Sequence, residues 1–340
     1  MSARHDRSIL FPGIGPEGQK RIEASAIAFV GVGAVGAAAA EIAARAGFGR
    51  LTLIDRDVVE ESNLSRQFLF DAEDAKAASP KATAAARRLA RIAPGVEVRA
   101  LAEDLDHVNA LRHLKGHDVV FDGTDNFETR LLVSDASRAL GLPSIAAACV
   151  GSEGLVAVSR PPKTPCLRCF LEVLPPAGSG PTCDTVGVVP SLPLLVAAAG
   201  MTEALRLAVG AETSPGVLTW EVWNGALTSR RRFEAARPSP ACPACGEGRY
   251  PALEGEGSSS AVRLCGRDAV QIRPRDPAPP DFESLARRLA SVASVRRGEG
   301  ILIANVDGVT LTLFEDGRCL IRGTGDPVRA RAIYDQYVGR

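Results

Sequence analysis

Lysine is nearly missing from this chain: only Lys20, Lys76, Lys81, Lys115 and Lys163 stand among 40 basic residues, the rest being arginine. A single lysine in a polar segment is therefore informative. Aromatic residues are 5% of the 340, so the interior has to be built from small side chains, and 33 glycines and 23 prolines imply many turns. No net charge remains after 40 basic and 40 acidic residues cancel, which excludes a broad basic surface for nucleic acid or anionic membrane. No window reaches the roughly 18–20 apolar residues of a membrane span. The opening MSARHDRSILFPGIG is charged where a secretory signal needs an apolar run, so a cytoplasmic protein is expected. The most apolar late segment, residues 190–210, is interrupted by Glu203 and Arg206 and carries Pro190 and Pro193, and reads as a buried helix. The four histidines, His5, His107, His113 and His117, form no acyl-transfer spacing with serine or cysteine and are expected at the surface.

What is present is an alternation. AIAFV (26–30) and LTLI (51–54) are buried-strand runs around an alanine-rich helix. KATAAARRLARIAPG is a helix stopped by Pro94 and Gly95, VEVRAL a strand, LDHVNALRHLKG helical, and DVVFDGT a buried strand with a polar end. TRLLVSDASRALG and SIAAACV continue the pattern, predicting a doubly wound, Rossmann-like α/β fold with a mostly parallel sheet over residues 20–158. A Pro/Gly/Cys-rich loop follows at 159–190, then a helix near 193–209, strands near VLTWEVWNG and 227–235, and a second cysteine-bearing loop at 238–249. The division is 1–250 as the main domain, 251–260 as a Gly/Ser/Glu-rich linker, and 261–340 as a small α+β domain. Its final helix is capped by Asp326 with Pro327 in the first turn.

Gly31, Gly33 and Gly36 form GVGAVG between a strand and a helix, the arrangement that brings phosphate oxygens to a helix N-terminus. Asp55 ends the next strand, where a carboxylate accepts ribose hydroxyls. This pattern alone does not separate NAD from ATP. The polar stretch from Asp55 through Asp57 to Gln67 is unusual for a dinucleotide fold; its Asn63, Arg66 and Gln67 suit a triphosphate, with Lys81 close behind at a helix start. Asp122 and Asp125 reach the same edge, where one of them suits Mg²⁺, the alternative being a capped turn in GTDN. Cys166-x-x-Cys169 and Cys242-x-x-Cys245 supply four soft ligands for a closed structural zinc site that clamps a long loop. Cys149, Cys265 and Cys319 have apolar or alternating contexts and read as inert, whereas Cys183, in GSGPTCD, reads as an accessible nucleophile or a bystander.

The glycine turn, DRDVVEESNLSRQ, GTDN, the paired CxxC motifs and CDTVGV, in that order, resemble the ThiF/MoeB/HesA adenylyltransferases, bacterial relatives of ubiquitin-activating enzymes. The likeness runs from about residue 7 to 250, and the C-terminal stretch resembles the extension of some ThiF-type members. Ala34 stands where many members carry glycine. The resemblance implies ATP-dependent adenylylation of the C-terminal Gly-Gly carboxylate of a small ubiquitin-like sulfur-carrier protein, with thiamine favoured over molybdopterin synthesis. It implies a homodimer and a separate sulfur donor, no rhodanese-like extension being present. It further implies that Asp55 binds ribose, with Asp57 in the same cofactor-binding set, that Asn63, Arg66, Gln67 and Lys81 handle the phosphates, and that Asp125 holds Mg²⁺. Arg7 would reach the partner subunit's ATP, and Cys183 would match the crossover-loop cysteine. An NAD-dependent oxidoreductase and a noncatalytic module binding a ubiquitin-like tail are the competing readings.

Overall fold

The computed structural model describes residues 3–170, 186–214, 216–224, 237–256, 261–263, 268–273 and 279–338. Strands β1 (Ala26–Val30), β2 (Arg50–Ile54), β3 (Glu97–Leu101), β4 (Val119–Asp122), β5 (Ser144–Val150), β6 (Glu153–Ser159) and β7 (Val217–Glu221) form one sheet. Their order is β3-β2-β1-β4-β5-β6-β7. The first five run parallel, as helical crossovers require, and β1 and β4 are buried at every position, which is why they read as unbroken apolar runs. Between β5 and β6 there are only Gly151 and Ser152, too few for a crossover, so β6 turns back antiparallel and β7 follows it.

The shortage of aromatics has a packing counterpart. Phe29 on β1 and Phe121 on β4, both fully buried, put their ring centroids 5.5 Å apart. Small helix faces close over them: the Ala34–Ala46 helix buries seven residues that are alanine or valine and one glycine, and Gly200 lies so near that a Cβ there would sit 2.8 Å from the Phe121 ring. Alanine loses no side-chain entropy on folding, so this interior is inexpensive to order. The Leu192–Val209 helix is long and apolar enough to cross a membrane by length and composition. In this fold it packs on the Ala34–Ala46 helix and on β5. Its buried Glu203 is satisfied by Arg206 and by the backbone and hydroxyl of Ser214.

A second sheet is antiparallel. Strands β8 (Ala261–Arg263), β9 (Ala269–Ile272), β10 (Ser294–Gly298), β11 (Ile301–Val306), β12 (Val309–Phe314) and β13 (Cys319–Arg322) take the order β10-β11-β12-β13-β9-β8. Helices Phe282–Leu289 and Pro327–Tyr337 cover it, capped by Asp281 and Asp326, whose carboxylates accept first-turn N–H groups. Edge strand β10 is SVRRG, mostly exposed, and has no apolar alternation to betray it. The segment read as a linker is held in part: Ala252 and Leu253 pack against the main core, and the Ala252 N–H donates to Asp135 at 3.0 Å. Residues 257–260 and the strand expected near 227–235 lie outside the described residues.

The histidine expectation needs correcting for three of four. His5, His113 and His117 are buried, because each finds a partner that offsets desolvation. His5 pairs with Glu23 and Gln19, His113 with Glu103 at 2.9 Å, and His117 with the Thr52 hydroxyl at 2.8 Å and the Leu114 carbonyl. Burial lowers the His117 pKa, keeping that ring neutral.

Candidate nucleotide and zinc sites

The strand order reverses between β1 and β4, and there the carboxyl ends of the parallel strands deliver the GVGAVG turn, the Asp55-Arg56-Asp57 loop and the Gly123–Asp125 turn side by side. Gly31 has φ +81° and its would-be Cβ meets the Gly123 backbone at 2.9 Å, so only glycine makes this turn. A Cβ on Gly36 would lie 1.8 Å from the Gly31 carbonyl. Gly33 differs: it caps the Ala34–Ala46 helix, and a Cβ there would meet nothing nearer than the Gln67 amide at 3.9 Å. Protein packing does not require that bareness, and it leaves the helix N-terminus open to an anion. Two substitutions separate the roles. Gly36→Ala costs about 1–3 kcal/mol or more of stability through backbone overlap, read as a lowered Tm. Gly33→Ala keeps the Tm and weakens ATP binding, read by titration.

Asp55 ties this edge together while each of its oxygens keeps a lone pair for a further donor. One carboxylate oxygen accepts the Val32 N–H at 2.6 Å and the other the Asp57 N–H at 2.7 Å. Burial raises its pKa, opposed by the charge of Lys81. Lys81 is itself only 3% exposed, its Nζ 3.2 Å from the Asp57 carboxylate and its N–H on the Asp57 carbonyl. That pair fixes the start of the Lys81–Ile92 helix beside the loop. Glu60 and Asn63 form a reciprocal cap that uses the Asn63 carbonyl oxygen, leaving its amide with a 3.5 Å contact to Ser62. Arg66, half-buried, donates to the Ser62 carbonyl at 2.7 Å. Gln67 is 4% exposed and its side-chain oxygen has no partner among the described residues. An unpaired buried acceptor is costly in a closed protein and is expected where a ligand completes the bonding.

The two aspartates of the DVVFDGTDN end divide the work. Asp122 is buried, accepting the Thr124 N–H at 3.0 Å and hydroxyl at 2.6 Å and pairing with Arg130 at 3.3 Å. Arg130 also donates to the Thr124 and Ala147 carbonyls, so this set builds the turn. Asp125 is exposed at the turn's tip and makes no hydrogen bond or ion pair among the described residues; its charge acts on Arg56. Of the two, Asp125 is the carboxylate open to a cation. Arg56, missed by the sequence reading, lies among Asp55, Asp57, Asp104 and Asp125, whose charges raise its pKa against burial.

Arg7 is exposed on the short Asp6–Leu10 helix, far from these groups in its own chain. Its neighbour His5 packs where a Cβ on Gly47 would sit, at the C-terminal end of the Ala34–Ala46 helix, while the phosphate turn is at the N-terminal end. Thirteen residues at 1.5 Å each separate those ends by about 20 Å. Cys183 and Cys265 lie outside the described residues. Cys149 and Cys319 are buried, and burial pushes the Cys319 thiol up to about 12.

The four other cysteines converge. Sulfur atoms of Cys166 and Cys242 are 3.6 Å apart, Cys166 and Cys169 3.9 Å, Cys169 and Cys245 3.4 Å, and all four lie within 4.8 Å of one another. A tetrahedron of 2.3 Å zinc–sulfur bonds has edges of about 3.8 Å. The cluster is tied to the helix after the GTDN turn: Arg168 grips buried Asp135 at 3.0 and 2.9 Å, and the Leu167 N–H donates to Ser134.

Such a fold, with a phosphate-ready turn, an acidic tip and a four-cysteine cluster, defines a nucleotide-binding α/β protein with four cysteines placed to hold a metal ion. The chain belongs to the ThiF family, whose pattern matches residues 5–244. It is 40% identical over 340 residues, 100% of both chains, to the sulfur carrier protein ThiS adenylyltransferase of Bacillus subtilis. It is 37% identical over 251 residues, 72% of this chain and 90% of the relative, to a sulfur carrier protein adenylyltransferase of Thermus thermophilus. The fold is also that of Escherichia coli MccB solved with ATP, at a TM-score of 0.61 and 19% identity over 72% of this chain and 75% of that one.

Proposed function

We propose that the protein uses ATP to adenylylate the C-terminal carboxylate of a ThiS-type sulfur-carrier protein, releasing pyrophosphate. The observation that carries this reading is the full-length similarity to a ThiS adenylyltransferase, joined to a nucleotide edge whose Gln67 oxygen is unpaired and whose Gly33 is open. A chain-terminal carboxylate ionises near 3.5, so it attacks without a general base. Its oxygen bonds to the α-phosphorus as the bond from that phosphorus to the pyrophosphate oxygen breaks. The chemistry then needs alignment and charge neutralisation.

The residues take the following parts in this reading. Helix N–H groups after Gly33 and the side chains of Asn63, Arg66 and Gln67 align the phosphates, Lys81 supplies positive charge beside Asp57, and Asp55 meets the ribose. Asp125 holds Mg²⁺, whose bound charge screens the phosphates. The partner subunit of a homodimer supplies Arg7, a reading supported by its distance from its own turn and by exposed Leu10 and Phe11 beside it. Zinc joins Cys166, Cys169, Cys242 and Cys245. The carrier ends in Gly-Gly, slender enough for a narrow approach, and sulfur comes from a separate donor.

ATP–pyrophosphate exchange tests the proposal: it is expected only when a Gly-Gly-terminated carrier is present. Failure with every such carrier, while ATP still binds, would leave a noncatalytic binding module. Cys183→Ala is expected to retain exchange within about twofold, since a thiol has no part in a carboxylate's attack on phosphorus, and to lower sulfur transfer to the carrier. Loss of exchange in a folded Cys183 variant would overturn that separation of steps.

A further inference from the structure

The second sheet is anchored to the nucleotide loop itself. Arg318, at the turn between β12 and β13, is 2% exposed and is held from its own side by Asp316 at 2.8 Å and by the Phe314 ring 3.6 Å beneath it. The outward nitrogens of the same guanidinium donate to the carbonyls of Arg56 and Ala102, both at 2.6 Å. Those carbonyls follow the carboxyl ends of β2 and β3. One planar cation thus sets the spacing of two loops at the edge where the nucleotide binds, a geometry suited to arginine's fixed fork.

A second set of contacts fixes a side chain. Asp104, in the loop after β3, accepts Gln271 at 2.6 Å and Arg273 at 2.5 Å from the second sheet, and lies 3.5 Å from the Arg56 guanidinium. Burial opposes its charge, but Arg56, Arg273 and Gln271 together hold the Asp104 pKa below its ordinary value. Arg273 also pairs with Asp106 at 2.5 Å, and Arg322 pairs with Glu60, a member of the cap that orders Asn63. Beneath these polar contacts, Val58 and Ala78 of the first unit share an apolar cluster with Ala269, Ile301, Ile303, Phe314 and Leu320 of the second.

We propose that the C-terminal sheet is a positioning element of the nucleotide site, acting through Arg318 on the Arg56 and Ala102 carbonyls and through Gln271 and Arg273 on Asp104 and Arg56. The arginine so placed stands with Lys81 as a cation amid Asp55, Asp57 and Asp125, and its orientation sets how closely those carboxylates approach one another and the nucleotide. The inference rests on the nucleotide reading of the 55–67 loop. A sheet that merely thickened the protein would have no need to bind the loop's own backbone.

The experiment uses the full-length chain. Affinity for a nonhydrolysable ATP analogue with Mg²⁺ is measured first for the unmodified protein; no binding there overturns the nucleotide reading itself. Arg318→Ala, and separately the pair Gln271→Ala with Arg273→Ala at the sheet's edge, are expected to weaken ATP about ten- to a hundredfold, as displacements near 1 Å do. Their kcat at saturating ATP and their KM for the carrier stay within about twofold, and Arg318→Lys falls between, restoring charge without the fork. Glu299→Ala removes a contact with Arg87 elsewhere between the same units and leaves the KM for ATP unchanged. Unchanged ATP affinity in the Gln271/Arg273 variant, or an equal loss in Glu299→Ala, overturns the proposal.

Discussion

Asp125→Ala abolishes ATP–pyrophosphate exchange, by about 10²–10³-fold or more, without lowering the Tm. The two halves of that expectation come from different observations. The functional half follows from its position: an exposed carboxylate just past the carboxyl end of β4, in the turn that packs on the glycine turn. The stability half follows from its having no hydrogen bond or ion pair to lose. Neighbouring candidates fail to separate the two. Asp122→Ala would strip Thr124 and Arg130 of their acceptor and leave a buried guanidinium short of a partner. Lys81→Ala would take from Asp57 its buried lysine partner beside buried Asp55, and breaking a buried pair costs about 3–5 kcal/mol. Either variant would lose exchange through misfolding as well as through chemistry. Circular dichroism and a melt of Asp125→Ala alongside the exchange assay therefore form the decisive measurement. Full exchange in a folded Asp125→Ala protein would remove Asp125 from the site.

The contrast between Asp122 and Asp125 also marks where sequence stops being sufficient. GTDN offers two aspartates at one strand end, and spacing cannot say which carboxylate the local turn consumes; Arg130, eight residues on, decides it. The parallel strands were legible because β1 and β4, buried on both faces, are written as unbroken apolar runs, and the last helix because Asp326 caps it. The four clustered cysteines were legible as two short-reach pairs, although 76 residues separate Cys166 from Cys242. Arg56 and Arg318 were not. In a chain whose basic residues are almost all arginine, one more arginine carries no signal, and its role depends on carbonyls 262 and 216 residues away. The buried histidines were missed for the same reason: Glu103, Thr52 and Glu23 reach them through the fold.

Removing the metal proposed for the cysteine cluster is expected to lower the Tm by more than about 10 °C, at roughly 2–4 °C per kcal/mol for a chain of this size. Apparent zinc-binding energies of about 10–16 kcal/mol at neutral pH rival the stability of a whole domain, so the clamp does not persist without its ion. The thiols explain why. Burial pushes Cys245 up to about 11 and Cys166 higher still, so in the absence of metal both hold their protons at neutral pH and cannot bind as thiolates. Burial also works against ionisation of Cys169, but hydrogen bonds from the Ser239 backbone and Cys245 outweigh it, making Cys169 the first thiolate available. Because the ion must displace at least the protons of Cys166 and Cys245, its apparent affinity falls on acidification by about a hundredfold per pH unit for two protons. Metal analysis should return one zinc per chain, and release to a chelator should accelerate from pH 8 to pH 6. Cys245→Ser should mimic the metal-free melt while sparing the β1–β5 sheet, since its route to the core runs through Arg168 and Asp135 on the helix that follows β4. A protein that contains no zinc and melts alike with and without chelator would return the four cysteines to a packed, metal-free cluster.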